Sequence, residues 1–177
     1  MSNNKALTNL RIRPETEADF PAIRGVNESA FGRANEANLV DALRGVVSPF
    51  LSLVAEAEGQ VVGHILFTPV TVASAAGDWQ AIALGPMAVR PSWQNQGVGS
   101  ALVPAGLTAC LDTGQPIVFV LGHPRFYPRF GFTPAPPRGL RCEFAVPDDV
   151  FMVVELLPDA LAGRGGLVRY HAVFAGT

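Results

Sequence analysis

Residues 91–100 read PSWQNQGVGS and join two strongly patterned segments of the chain. The segment before them, AIALGPMAV at 81–89, is apolar and uncharged, as expected of a buried strand. The segment after them carries apolar residues at helical spacing, namely Val103, Leu107, Cys110 and Leu111. The sequence therefore predicts a buried strand, a glycine-rich turn and a helix that begins at the glycines.

The start of this helix is suited to binding an anion. The N–H groups of a first helical turn have no acceptor within the helix, and the helix dipole adds a partial positive charge at the same end. Gly97 and Gly99 carry no Cβ, so a phosphate can approach the backbone closely. These features predict a phosphate site at the turn.

Three other glycine-containing motifs fit the turn poorly. A P-loop requires Gly-Lys-Ser/Thr, and no lysine follows the glycines. The dinucleotide fingerprint requires a small residue where Leu102 stands and an acid near the end of the next strand, where Gly122 stands. The Gly-x-Ser-x-Gly of a nucleophile elbow is absent. What remains is Gln94-x-x-Gly97-x-Gly99.

The composition indicates a globular chain without a nucleic-acid footprint. Hydrophobic residues make up 49% of the 177 residues, which is enough for a sizeable core. The formal net charge of −2 argues against nucleic acid as a partner. We expect a single domain over residues 10–174, preceded by a short N-terminal extension, residues 1–9.

The sequence also gives expectations for the cellular compartment and for metal binding. The chain shows neither an apolar run of membrane-spanning length nor a signal peptide, so we expect no membrane association. Its two cysteines form no disulfide framework, which favours a cytoplasmic protein with free thiols. Three scattered histidines do not predict a metal site.

The periodicity predicts a mixed order of strands and helices. One helix follows Thr16 and ends at Gly32, a second runs from Asn35 to Ser48-Pro49, and a third begins at the glycine turn. Pro104 is expected to kink or loosen that third helix. Strand patterns lie at 10–13, 51–57, 60–72, 79–89, 117–121, 151–157 and 167–174. Short turns make the strands within 51–89 antiparallel neighbours, and the helical crossover makes 79–89 and 117–121 parallel. Pro69 suggests a bulge or an edge.

A second motif follows the strand at 117–121. Residues 126–132 read FYPRFGF, which resembles the Tyr-x-x-x-Gly-Phe segment of the GNAT superfamily of N-acyltransferases. Gln94-x-x-Gly97-x-Gly99 likewise resembles that superfamily's pyrophosphate-binding signature. LGPMAV at 84–89 and CEFAVP at 142–147 look like its bacterial YhbS-like branch of predicted acetyltransferases. The resemblance covers roughly residues 10–174.

The resemblance implies a fold and a co-substrate. The fold would be of the α/β (α+β) class, with a mixed, twisted sheet of about seven strands splayed in the middle, helices on both faces and the order βααβββαβαββ. Acetyl-CoA would be the co-substrate, with no metal. The turn would hold the coenzyme pyrophosphate, Gly85-Pro86 would mark a bulge, and the strand end would pair with the pantetheine amides. The implied coenzyme-binding residues are Met87, Ala88, Val89, Gln94, Asn95, Gln96, Gly97, Val98, Gly99 and Ser100.

The implied reaction is direct attack of an amine on the acetyl carbonyl. Tyr127 would donate a proton to the leaving thiolate, and the backbone N–H of Val89 or Ala88 would polarise the carbonyl. The acceptor would be a small molecule or an exposed protein amine, and family members are often homodimers. Asn35-Glu36-Ala37-Asn38 lines the acceptor pocket or simply begins a helix. Arg125 and Arg129 contact the coenzyme phosphates or face water.

The general base is left open by the sequence. Many family members carry a glutamate on the strand before the phosphate turn, and this chain has none from Ala81 to Val89. The candidates are Glu28, His64, His123 and a chain of water molecules. A packed aromatic role for Tyr127 and a core role for His64 are the structural alternatives.

Three other functional classes stay open beside an acetyltransferase. A CoA-binding sensor without turnover would explain the missing glutamate. A nucleotide-dependent oxidoreductase is disfavoured by Leu102 and Gly122. An interaction domain would make the glycine turn incidental.

Overall fold

The computed structural model describes residues 9–176. Three α-helices lie in this range, α1 (Phe20–Phe31), α2 (Asn35–Leu43) and α3 (Val98–Asp112). The strands are β1 (Arg11–Pro14), β2 (Leu51–Ala57), β3 (Gln60–Ala73), β4 (Trp79–Val89), β5 (Ile117–Leu121), β6 (Thr133–Pro134), β7 (Leu140–Cys142), β8 (Phe151–Glu155) and β9 (Gly166–Arg169). Residues 1–8 of the predicted N-terminal extension lie outside the described range.

The strands form one mixed, mostly antiparallel sheet. Its main order is β1-β2-β3-β4-β5-β8-β6, and β9 pairs with both β3 and β7. The pair β4–β5 is parallel, as predicted from the helical crossover. The sheet has nine strands rather than seven, because the short strands β6 and β7 carry no alternating pattern that a sequence could display.

The helices cover opposite faces of the sheet. On β2, Leu53 and Ala55 belong to the core cluster beneath α3, whereas Val54 belongs to the cluster beneath α1 and α2. Side chains alternate between the two faces of a strand, so these clusters lie on opposite sides. The predicted arrangement of helices on both faces is confirmed.

Helix α3 packs against the sheet at two glycines. A Cβ on Gly106 would lie 2.3 Å from the ring of Phe67, and a Cβ on Gly63 would lie 2.9 Å from Val98. These close contacts fix the depth of α3, and therefore the position of the turn at its N-terminus. Helix α3 continues as an α-helix through Pro104, whose side chain is exposed. The kink or loosening expected at Pro104 therefore does not interrupt the helix.

Two other helical predictions differ from the structure. Helix α2 ends at Leu43 instead of continuing to Ser48, because Gly45 adopts a left-handed φ of 77°. The α-helix expected between β5 and β8 is replaced by the short 3-10 helices Tyr127–Phe130 and Pro136–Arg138. Proline recurs throughout this segment and cannot continue an α-helix.

The bulge expected on β4 is present. Ile65 pairs with Met87 and Phe67 with Leu84, so Gly85 and Pro86 together oppose a single residue of β3. The parallel pairing of β4 with β5 ends at Leu84, and within the described sheet β5 does not pair with residues 87–89. The two strands therefore separate beyond the bulge, as expected of a sheet splayed in the middle. Pro69 pairs with Ile82 of β4 on one side only. On its other side it lies between the end of the β2 pairing at Phe67 and the start of the β9 pairing at Thr71, so it stands at a local edge of the sheet, as expected.

Candidate active site

The glycine turn presents several amides at one point. Gly97 caps α3 with a φ of 89°, and Asn95 also adopts a left-handed conformation at 58°. The first hydrogen bond of the helix runs from the N–H of Ala101 to the carbonyl of Gly97, at 3.0 Å. The amides that precede it, on residues 98–100, therefore have no acceptor within α3. The turn has the geometry of an anion site.

Two glutamine side chains brace the turn. Gln94 Nε2 donates to the carbonyl of Val89 at 3.0 Å, and Gln96 Nε2 donates to the carbonyl of Ser92 at 2.8 Å. Gln94 thus ties the turn to the last residue of β4. These bonds explain a structural use for both glutamines in addition to their predicted role in coenzyme binding.

A cavity of about 510 Å³, which we call the phosphate-turn cavity, opens above these amides. It is lined by Met87, Val89, Trp93, Gln94, Asn95, Gly97, Val98, Gly99, Ser100, Phe126 and Arg129. Eight of these were predicted as coenzyme-binding residues. Gln96 and Ala88 were also predicted, but they do not line the cavity.

Arg129 supplies positive charge at this cavity, whereas Arg125 does not line it. Arg129 Nη2 donates to Ser100 Oγ at 3.2 Å, and the guanidinium of Arg129 lies 4.7 Å from the ring centroid of Phe126. Both contacts hold the cation beside the free amides of α3. The sequence left the role of Arg129 open. Trp93 and Phe126 were missed as lining residues because an aromatic residue at these positions does not by itself indicate a ligand.

The separated end of β4 offers main-chain groups to a ligand. The N–H of Arg90 donates to the carbonyl of Val62 at 2.9 Å. Alternate residues of an antiparallel strand face the same neighbour, so Ala88 faces β3, whereas Met87 and Val89 face the gap towards β5. Of the two amides considered for polarising a carbonyl, that of Val89 therefore faces the gap.

A second cavity of about 700 Å³, which we call the apolar cavity, lies beside the first. The two share Met87 and Phe126 as walls. The apolar cavity is lined by Phe31, Glu36, Leu39, Leu84, Gly85, Pro86, Met87, Leu121, Gly122, His123, Phe126, Tyr127, Phe144, Tyr170 and Phe174. It brings together the bulge on β4, the end of β5 and three distant segments of the chain.

Tyr127 lies in the wall between β4 and β5. Its side chain is buried, its ring makes edge contacts with Phe126 and Phe132, and burial raises the pKa of its hydroxyl to about 12. Gly122 makes this position possible, because a Cβ there would lie 2.2 Å from Tyr127 Cε2. Tyr127 therefore remains protonated at neutral pH and can act as a hydrogen-bond donor.

His123 also lines the apolar cavity and is exposed. Its Nδ1 lies 3.2 Å from the backbone nitrogen of Arg125, which donates to it. This bond engages the Nδ1 lone pair and places the proton of the neutral ring on Nε2. In this tautomer neither ring nitrogen of His123 has a free lone pair, which weakens its case as a base.

His64 is a buried core residue. Its side chain is inaccessible to solvent and lies between Asn27 Nδ2, at 3.1 Å from Nδ1, and Ser52 Oγ, at 2.9 Å from Nε2. Burial, assisted by the charge of Arg44, lowers the pKa of His64 to about 3. His64 lines neither cavity, so the structure supports the core role that the sequence left as an alternative.

The two carboxylates on the first helices lie in different places. Glu28 forms an ion pair with Arg24 at 2.9 Å and lines neither cavity. Glu36 lines the apolar cavity and is bound by Arg33, whose Nη2 lies 2.5 Å from Oε1. The hydrogen bonds from Arg33 lower the pKa of Glu36, so its carboxylate is charged at neutral pH.

Comparison with known proteins identifies the family. The GNAT acetyltransferase domain family matches residues 11–135. The chain belongs to this family. It is 39% identical over 164 residues to the uncharacterized N-acetyltransferase YhbS of Escherichia coli K12, covering 92% of this chain and 97% of YhbS. It is also 40% identical over 136 residues to the uncharacterized N-acetyltransferase YjhQ of the same organism, covering 75% of each chain.

Solved structures of this GNAT family agree. The crystal structure of YhbS from Escherichia coli in complex with CoA has a TM-score of 0.86 at 38% identity, covering 94% of this chain and 92% of that one. A GNAT family acetyltransferase from Brucella melitensis in complex with acetyl-CoA has a TM-score of 0.76 at 34% identity, covering 94% and 98%. The predicted family, fold and YhbS-like branch are confirmed. Within residues 9–176, no helix is both long and apolar enough to cross a membrane.

Proposed function

We propose that the protein is an N-acetyltransferase that moves an acetyl group from acetyl-CoA to an amine within a ternary complex. The observation that carries this proposal is that two neighbouring cavities share Met87 and Phe126 as walls. One cavity offers the amides and the cation that a pyrophosphate requires. The other offers a protonated tyrosine and space for an acceptor.

The coenzyme would follow the backbone from the turn to the gap in the sheet. The amides of residues 98–100 and the guanidinium of Arg129 would bind its pyrophosphate. The main-chain groups of Met87, which face the gap, would pair with a pantetheine amide as an added strand would, because the Val89 carbonyl accepts from Gln94 and its N–H would bind the acetyl carbonyl. Both solved relatives named above hold CoA or acetyl-CoA, which supports this placement.

The residues of the apolar cavity would then assist one bond exchange. The Val89 N–H would polarise the acetyl carbonyl, and the neutral amine nitrogen would attack the carbonyl carbon. The carbon–sulfur bond would then break, and the nitrogen would lose its second proton to water as the amide forms. Tyr127 would donate a hydrogen bond to the departing thiolate. A raised pKa means that the hydroxyl keeps its proton more firmly than a thiol does, so Tyr127 would stabilise the thiolate, which takes its proton finally from water.

The proton released by the amine must leave the cavity. An alkyl amine has a pKa near 10 and is mostly protonated at neutral pH, so it must lose a proton before it attacks. Glu28 and His64 do not line the cavity, and the hydrogen bond from Arg125 engages the Nδ1 lone pair of His123. We propose that water accepts this proton, which makes transfer faster as the pH rises towards the pKa of the amine.

Two measurements test the proposal. Acetyl-CoA at one hundred times its Kd should stabilise the fold by about 2.7 kcal/mol, which raises the Tm of a domain of this size by about 5 to 10 °C. NADH and ATP are the controls. Release of the CoA thiol is then followed in the presence of a panel of amines and compared with the rate without amine. Binding without amine-dependent thiol release would favour the sensor, and a Tm rise with NADH alone would overturn the proposal.

A further inference from the structure

The apolar cavity has a single anionic group in an aromatic wall. Among the described residues that line it, Glu36 is the one that carries a negative charge, and neither lysine nor arginine is among them. Phe144, Tyr170 and Phe174 form part of the wall, with ring centroids 5.3 Å apart for the first pair and 5.1 Å for the second. Such a cavity favours a ligand that combines one positive charge with an apolar surface.

The ionisation state and the hydrogen bonds of Glu36 determine whether it can act as a base or as a binding group. Its hydrogen bonds to Arg33 lower its pKa, so it is a weak base, and a base works best when its pKa is near the operating pH. Arg33 is largely exposed, with 62% of its side chain accessible, whereas the side chain of Glu36 is 14% accessible. A carboxylate has about four acceptor positions. Arg33 donates from Nε to both oxygens and from Nη2 to Oε1, so one position on Oε2 is left that can bind an ammonium group.

The aromatic rim favours an apolar ligand over a polyhydroxylated one. Phe31 is 40% exposed at the edge of the cavity, although a free side chain of this size gains free energy from being covered. The faces of aromatic rings also attract a cation. A sugar amine or a polyamine would leave hydroxyl or ammonium groups without partners against these walls, which costs free energy.

We propose that the acceptor is a monoamine with an apolar body about the size of an aromatic ring, whose ammonium group is bound by Glu36. This proposal rests on the function proposed above and gives its acceptor class. Glu36 is a binding residue that selects the charged amine. The amine reacts after it has lost its proton to water, so Glu36 takes no part in the bond exchange.

The test measures binding and turnover separately. Binding of 2-phenylethylamine to the CoA-bound protein, measured by calorimetry, requires no reaction. Glu36→Gln should weaken this binding about 10-fold, which corresponds to the loss of one charge pair of about 1.4 kcal/mol. Glu56→Gln is the matched control, because Glu56 is also paired with an arginine, Arg13, and lines neither cavity. In turnover, Glu36→Gln should raise the KM for the amine with little change in kcat or in the KM for acetyl-CoA.

A panel of acceptors tests the apolar body. Ethanolamine, glucosamine, spermidine and a lysine peptide should each have kcat/KM values at least about 10-fold below that of 2-phenylethylamine. Faster turnover of any of these, equal binding by Glu36→Gln, or no binding of 2-phenylethylamine would overturn this inference. Faster turnover of hexanoyl-CoA than of acetyl-CoA would also overturn it, because the cavity would then hold the acyl chain. Amine binding without any thiol release would instead contradict the proposed function alone.

Discussion

The phosphate-turn cavity and the apolar cavity are built in opposite ways. Nine of the eleven residues that line the first lie between Met87 and Ser100, and its essential groups are backbone amides. The second is assembled from five separate segments of the chain, and its character comes from side chains. The first site therefore depends mainly on the backbone conformation of one segment, whereas the ligand of the second depends on which side chains line it.

The largest expected effect separates two glycines of the same turn. A Cβ at Gly99 would only approach Phe126 at 3.4 Å and Met87 at 3.5 Å, so Gly99→Val should fold, but its larger side chain should fill the phosphate-turn cavity. We expect the rise in Tm with acetyl-CoA to disappear while the Tm of the free protein changes little. Thermal unfolding with and without acetyl-CoA measures both.

Gly97 is the comparison for this prediction. Its φ of 89° is unfavourable for any residue with a Cβ, so Gly97→Ala should destabilise the free protein by about 1 to 2 kcal/mol. A full rise in Tm for Gly99→Val would mean that the coenzyme binds elsewhere and that the two cavities do not form one site.

The second prediction concerns the hydroxyl of Tyr127 in the wall of the apolar cavity. Tyr127→Phe keeps the ring against Gly122 and removes only the hydroxyl. Loss of a hydrogen bond to a developing thiolate should lower kcat about 10- to 100-fold, with the KM for acetyl-CoA nearly unchanged. Steady-state kinetics at saturating amine measure this change.

Gly122→Ala tests whether the position of the Tyr127 ring matters when the hydroxyl is retained. Its Cβ would displace the Tyr127 ring, so kcat should fall although the hydroxyl is still present. An unchanged kcat in Tyr127→Phe would assign Tyr127 to packing alone, and the apolar cavity would then contribute shape without chemistry.

The difference between the cavities also explains what the sequence could predict. The turn and the parallel β4–β5 pair follow from local patterns, and the bulge at Gly85-Pro86 follows from the resemblance to the GNAT superfamily. The structure has all three where they were expected. Phe144 and Tyr170 lie in loops and strand ends far along the chain, and only the tertiary fold brings them beside Glu36. The α-helix expected after β5 came from the element order that the resemblance implies, whereas the prolines of this chain allow only the short 3-10 helices found there.

The third prediction separates stability from the cavities. His64 stays neutral in the folded protein, since its pKa is lowered to about 3, whereas the unfolded chain binds a proton near its ordinary pKa of 6.5. The free energy of unfolding should therefore fall as the pH drops from 6.5 towards 3, by up to about 1.4 kcal/mol per pH unit. Denaturant unfolding at pH 7, 6, 5 and 4.5 measures the slope.

His64→Gln is the matching variant, because it retains a polar side chain between Asn27 and Ser52. We expect a shallower slope between pH 6.5 and 4.5. Asp19, whose pKa is lowered by hydrogen bonds from Arg13, acts in the same direction but at lower pH, as its ordinary pKa is 3.8. An equal slope in the variant would place the titrating group elsewhere.

The smallest expected effect tests whether the apolar cavity is as apolar as its lining suggests. The hydroxyl of Tyr170 is buried and has no hydrogen-bond partner among the described residues. A buried hydroxyl without a partner costs free energy, so Tyr170→Phe should leave the free energy of unfolding unchanged or raise it by about 1 kcal/mol. The KM for an apolar amine should not change. A clear increase in that KM would show that the acceptor bonds to this hydroxyl, and the acceptor would then carry a polar group in addition to its amine.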